Sequence, residues 1–157
     1  GPRVGDGSWS ASSVTEMFRH GLIFAEQRGL LAYFRSREPD NAAGSAVVDE
    51  SRATFVVSPF VVAELDYLIA DRDGVDDELT MLAAISSGAY ELPHFDADDI
   101  VEAMGVIDKY RDQCIGLTDA SIVVLANRYK TKQILTLDRR HFEVLRPLAG
   151  GRFKLLP

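Results

Sequence analysis

A single cysteine, Cys114, excludes an internal disulfide in this chain of 157 residues. The three histidines, His20, His94 and His141, are scattered, so no Cys/His cluster of zinc-binding spacing exists. No apolar run approaches the roughly 18 residues needed to cross a bilayer. The first twenty residues are small and polar, without the apolar stretch of a secretory signal. The sequence therefore reads as a cytoplasmic protein with no membrane partner. Gly1-Pro2 has the look of a protease-cleavage remnant. There is no GxGxxG, no Walker loop and no GxSxG elbow, which argues against dinucleotide binding, P-loop chemistry and α/β-hydrolase chemistry.

Positive charge is also scarce. Seventeen Lys/Arg against 24 Asp/Glu give a net charge of −7, an unfavourable average for a nucleic-acid partner. The average hides a split. From Arg128 onward there are eight Lys/Arg and two Asp/Glu, a net of +6, so the first 127 residues carry −13. Acidic blocks at 71–78 and 96–99 read as solvated loops and helix N-termini. The basic last third suits an anionic partner or a solvated helix face.

With 46% hydrophobic residues the chain has length and apolar content for one core. Residues 1–20, rich in Gly, Ser and Arg, read as a flexible tail before one domain over 21–157. Short apolar strands are expected at 22–25, 54–58, 89–92, 134–138 and 153–156. Helices are expected at 29–37, 38–50, 58–72, 74–86, 96–112, 117–129 and 139–146. Ser58 and Pro59 form a helix start of cap and first position. Strands alternating with helices predict an α/β fold with a short, mainly parallel sheet covered by helices. In such folds ligands bind beyond the carboxyl ends of the strands.

Four acids stand near such places. Glu26 follows the apolar run Leu22–Ala25, and Asp138 ends the segment ILTLD. Glu64 lies on or beside the stripe marked by Val61, Leu65 and Leu68, where a carboxylate is costly without a partner. Asp119 follows Thr118, a good cap, in the first turn of an apolar helix. Each has an ordinary alternative: a basic partner or an edge position for Glu64, a dipole-complementing acid for Asp119, a helix N-cap for Asp138. His141 reads as structural or exposed. Taken together, carboxylates gathered from separate segments repel one another unless a cation neutralises them. An all-oxygen donor set favours Mg²⁺, with Mn²⁺ as substitute, and metal-assisted phosphoryl chemistry.

The segments LLAYFRSREPDNAA, VVSPFVVAELDYLI, KYRDQCIGLTDASIVVLANRY, ILTLDRRHF and GGRFKLLP resemble, in order from about residue 22 to the end, the PIN-domain family and within it the VapC-type toxins of bacterial toxin–antitoxin pairs. The resemblance implies a three-layer sandwich of helices around a parallel sheet and a magnesium-dependent ribonuclease site of three or four acids. It also implies a homodimer and inhibition by a cognate antitoxin. By matching segment, Glu64, Asp119 and Asp138 fall on family acids, with Asp112 a secondary candidate beside them. Arg139 and Arg140 are expected to hold the RNA backbone.

One segment departs from the pattern. Where the family has Asp-Thr-Ser-Ala after its first strand, this chain has Glu26-Gln27-Arg28-Gly29. The added methylene moves the carboxylate by about 1.5 Å, and Arg28 brings a positive charge able to pair with an acid and replace the metal. The primary expectation is an endoribonuclease with Glu26, Glu64, Asp119 and Asp138 around Mg²⁺. The alternative is a catalytically impaired PIN-fold protein that binds an antitoxin or RNA. An unrelated phosphoryl-transfer fold, similar to a receiver domain, needs an Asp–Lys pair that the sequence does not place.

Overall fold

The computed structural model describes residues 21–36 and 54–157. The expected tail at 1–20 and helix at 38–50 lie wholly outside these residues. Four parallel strands form one sheet in the order β2-β1-β3-β4. They are β1 (Leu22–Ala25), β2 (Thr54–Val56), β3 (Gln133–Leu135) and β4 (Lys154–Leu156). Among the described residues six helices accompany them: α1 (Gln27–Ser36), α2 (Pro59–Asp73), α3 (Val75–Ser86), α4 (Ala97–Lys109), α5 (Leu117–Tyr129) and α6 (Arg139–Val144).

All four residues of β1 are buried, as a continuous apolar run predicts for a strand covered on both faces. α5 is buried along seven consecutive residues, Ala120–Ala126, and packs chiefly on α4. Its sequence carries no polar stripe over that stretch, so it belongs inside the fold rather than on its surface. α2 starts as expected: the Ser58 side chain accepts from Phe60 N at 3.2 Å and Pro59 opens the helix. The buried positions of α2 are Val61, Leu65 and Ile69, not Leu68. That spacing of four rotates the stripe away from Glu64, which is exposed.

Several elements are shorter than the sequence predicts. The strand expected at 89–92 is a single bridge between Val56 and Glu91. Glu91 N donates to Phe55 O and Val57 N to Glu91 O, both at 2.9 Å; the next donor along would be residue 93, a proline without an N–H. The strand expected at 134–138 ends at Leu135, because the Thr136 hydroxyl turns the chain by bonding both Asp138 N and Asp138 O at 3.0 Å. The helix expected to reach residue 146 stops at Val144, consistent with Pro147 disfavouring helical geometry at Arg146. The helix over 96–112 ends at Lys109 and gives way to a 3-10 turn, Arg111–Gln113.

Gly29 fixes how closely α1 approaches the sheet. A Cβ there would meet the Leu135 carbonyl oxygen, with Leu135 C at 2.6 Å and Thr136 N at 2.9 Å. All three atoms are backbone and cannot rotate away. Gly29→Ala is therefore expected to lower stability by about 1–3 kcal/mol despite its better helix propensity. That corresponds to a Tm lower by roughly 3 °C or more. An unchanged or raised Tm in a thermal melt would show that α1 and β3 are not in this contact.

Candidate active site

β1 and β3 are neighbours although 107 residues separate their ends, and the chain leaves them on opposite sides of the sheet toward β2 and β4. This is the switch point at which open parallel sheets present ligand sites. Glu26 stands there: its N–H donates to Leu135 O at 3.0 Å. Its side chain is 2% exposed, and Oε1 accepts from Arg28 N at 2.6 Å and Gly29 N at 3.1 Å. The carboxyl thus caps the first turn of α1. Burial pushes its pKa up to about 7; the two N–H groups pull it down, and the charges of Asp119 and Asp138 push it up again.

Asp119, in the first turn of α5, is mostly buried, and its Oδ2 lies 2.6 Å from His141 Nδ1. Burial raises its pKa, the imidazole opposes the rise, and the charges of Glu64 and Asp138 add to it. Asp138 occupies the N-cap position of α6 but makes no side-chain capping bond. Instead the Arg140 guanidinium forks across both oxygens, Nε to Oδ1 at 3.2 Å and Nη2 to Oδ2 at 3.3 Å. That pair holds the Asp138 pKa below the usual carboxylate range. Glu64 Oε1 accepts from the Thr118 hydroxyl at 2.7 Å. Thr118 is therefore not the cap of α5, whose cap position is Gly116; its hydroxyl ties α5 to α2. Beneath this contact the buried hydroxyls of Ser58 and Ser121 meet at 2.7 Å, pinning the same two helices.

Glu26, Asp119 and Asp138 thus act on one another, and Glu64 joins them through Asp119. Asp112 lies exposed on the 3-10 turn. Arg139 is paired with Glu143 at 3.3 Å. Asp138 is paired with Arg140, and the Arg28 side chain, expected to pair with an acid, lines a pocket beside that pair. His141, read from sequence as structural or exposed, is the residue that holds Asp119. Its signal was a spacing of three from Asp138, one helical turn, which returns both residues to the same face.

The donor set suits a hard cation. Glu26 Oε2, Glu64 Oε2 and Asp119 Oδ1 are the carboxylate oxygens left outside these hydrogen bonds, while both oxygens of Asp138 are held by Arg140. Among the described residues the one tight group of metal-ligating atoms, all within 4.8 Å, is elsewhere: His94, Asp96 and Asp99. Those acids already serve a reciprocal capping box for α4, and Asp99 also pairs with Arg128 at 2.5 Å. The four site acids are spread more widely than that.

Comparison with known proteins places this geometry in a family. The PIN domain model matches residues 30–146, beginning just past the departing segment. The chain is 56% identical over 135 residues to Ribonuclease VapC26 of Mycobacterium tuberculosis, covering 86% of this chain and all of that protein. Among solved structures, Mycobacterium tuberculosis VapC20, described as a Sarcin-Ricin loop cleaving toxin, superposes with a TM-score of 0.62 at 16% identity, over 74% of this chain and 89% of that one. VapBC2 from Rickettsia felis, solved bound to a promoter DNA fragment, gives 0.62 at 15% identity over 82% and 96%. The parallel sheet between helices, the strand-end acids and these matches agree: the chain belongs to the PIN-domain family, as one of its VapC-type members.

Proposed function

We propose that this chain is a divalent-metal-dependent endoribonuclease toxin whose site acids are Glu26, Glu64, Asp119 and Asp138. The observation that supports it best is the electrostatic coupling of four carboxylates from the β1–α1 junction, α2, α5 and the β3–α6 turn at one sheet edge. Glu26 Oε2, Glu64 Oε2 and Asp119 Oδ1 would hold Mg²⁺ or Mn²⁺. When bound, the ion supplies activation of water and stabilisation of charge on the phosphodiester. Thr118 orients Glu64 and His141 orients Asp119, each by holding one oxygen and leaving the other. Asp138 takes part once Arg140 releases it; Arg139 and Arg140 then turn to the RNA backbone. The products are a 5′-phosphate and a 3′-hydroxyl. A cognate antitoxin is the inhibitor, as the VapC relatives suggest.

Metal-linked stability tests this. Saturating Mn²⁺ should raise Tm by binding the native state, about 2.7 kcal/mol at a hundred times Kd. Asp119→Asn should remove most of that gain, because it deletes a ligand charge with little change of shape. Equal Mn²⁺ responses in the two proteins would exclude Asp119 as a ligand.

A second reading, an impaired PIN-fold protein that binds antitoxin or RNA, is favoured by one feature: the Glu26 carboxyl spends Oε1 on α1, and burial pushes its pKa up to about 7. A carboxyl about half protonated at neutral pH is a poor cation ligand. Either form is expected to be a homodimer. Sedimentation at micromolar concentration should give about twice the 17.3 kDa chain mass; a monomer would defeat that part alone.

A further inference from the structure

We propose that the pocket beside Asp138, lined by Arg28, Arg35 and Arg140 together with Leu31 and Leu137, is a subsite for the RNA backbone flanking the scissile bond. The inference rests on the ribonuclease reading and extends it to residues on α1. The pocket measures about 530 Å³, within the range of sites that enclose a small ligand and sufficient for about one nucleotide. Three guanidinium groups and one carboxylate line it in a chain whose net charge is −7. That local excess of positive charge runs against the average of the molecule.

The arrangement follows from helix geometry. Arg28, Leu31, Ala32 and Arg35 recur at i, i+3, i+4 and i+7, so they share one face of α1. Arg28 is exposed, and among the described residues its guanidinium has no hydrogen-bond or ion-pair partner. Arg35 makes a long contact, 3.6 Å, with Asp73. Arg140 is 84% exposed on its side of the pocket. Guanidinium forks match phosphate oxygens in geometry and charge. Leu137, 58% exposed, offers an apolar patch for a sugar or base without hydrogen-bond readout, so the subsite grips backbone and discriminates little among bases.

Asp138 belongs to both this pocket and the acid cluster. A phosphate seated here competes with Asp138 for Arg140 and leaves the Asp138 oxygens open to a cation. RNA and metal should therefore strengthen each other's binding, by the same factor in both directions.

The test is fluorescence anisotropy with a fluorescein-labelled eight-nucleotide uridine RNA, in EDTA so that no cleavage intervenes. Arg28→Gln and Arg35→Gln should each weaken binding by roughly tenfold. Each should also flatten the salt dependence of log K by about 0.7. Arg152→Gln, a control at an exposed arginine outside the pocket, should change neither. Full affinity and slope in both pocket variants, or no RNA binding by the parent, would overturn the subsite. Displacement of RNA by an octaglutamate peptide, with slopes untouched by the substitutions, would overturn it in favour of an acidic protein segment. A parent that binds RNA through these arginines yet fails to cleave with Mn²⁺ keeps the subsite and sinks the nuclease reading. A parent that cleaves, with KM unchanged in Arg28→Gln and Arg35→Gln, does the reverse.

Discussion

Replacing Glu26-Gln27-Arg28 with Asp-Thr-Ser is expected to raise kcat for RNA cleavage by about a hundredfold, the scale on which a misplacement near 1 Å acts. Three features of Glu26 point the same way. Its side chain is one methylene longer than the family's aspartate. Its Oε1 is held by the N–H groups of Arg28 and Gly29. Burial keeps it substantially protonated at neutral pH, with a pKa of about 7. Aspartate is a favoured cap at this position and leaves its second oxygen nearer the sheet edge. Removing the Arg28 side chain also lowers positive charge near the cation. The same change deletes a backbone contact, so KM is expected to rise while kcat carries the gain. Gly29 stays, because α1 has no room for a Cβ there. Asp119→Asn in the restored chain should abolish the gain. If the parent is already as fast as the restored protein, Glu26 works as it stands and the impaired reading is wrong.

The second large effect is on stability against pH. Glu26 keeps its proton in the folded chain up to a pKa of about 7, against 4.5 for an ordinary glutamate. Below 4.5 both folded and unfolded states are protonated. Between 4.5 and 7 the unfolded chain releases the proton and the folded one retains it, so unfolding becomes easier as pH rises. Above 7 the loss is complete, at about 3 kcal/mol. Asp119, also raised, acts in the same direction. Asp138, lowered by Arg140, contributes stability above the usual carboxylate range and loses it only in acid. Urea unfolding in EDTA from pH 5 to pH 8 should therefore show a steady fall. Glu26→Gln keeps an acceptor for the two N–H groups and has no proton to lose. It should flatten most of the slope and exceed the parent at pH 8, by a Tm difference of roughly 6 °C or more. Mn²⁺ reverses the trend in the parent, since it binds the ionised form and gains affinity as pH rises. A parent as flat as Glu26→Gln in EDTA would mean that the Glu26 carboxyl is not held neutral by burial.

The sequence by itself determined what depends on neighbours along the chain. The span of α5, 117–129, followed from its apolar run, and the start of α2 from Ser58 and Pro59. Glu26 and Asp138 could be placed at strand ends because each acid follows an apolar run directly. The tertiary structure decided everything that needed two distant segments in register. Pairing β1 with β3 put Glu26 beside the turn that carries Asp138, and parallel order is not encoded in either strand's own residues. The structure also gave Asp138 its partner Arg140 and Asp119 its partner His141, because side-chain direction at a strand end depends on the sheet it joins. Glu64 moved off the buried stripe because Ile69, not Leu68, completes it, a rotation set by what α2 packs against. The short run at 89–92 is apolar enough for a strand, yet pairing stops at one bridge where the ladder requires an N–H and meets Pro93. Local periodicity fixes a residue's element and face; which groups that face meets is set by contacts between segments far apart in sequence, whose loop-closure cost only the assembled core offsets.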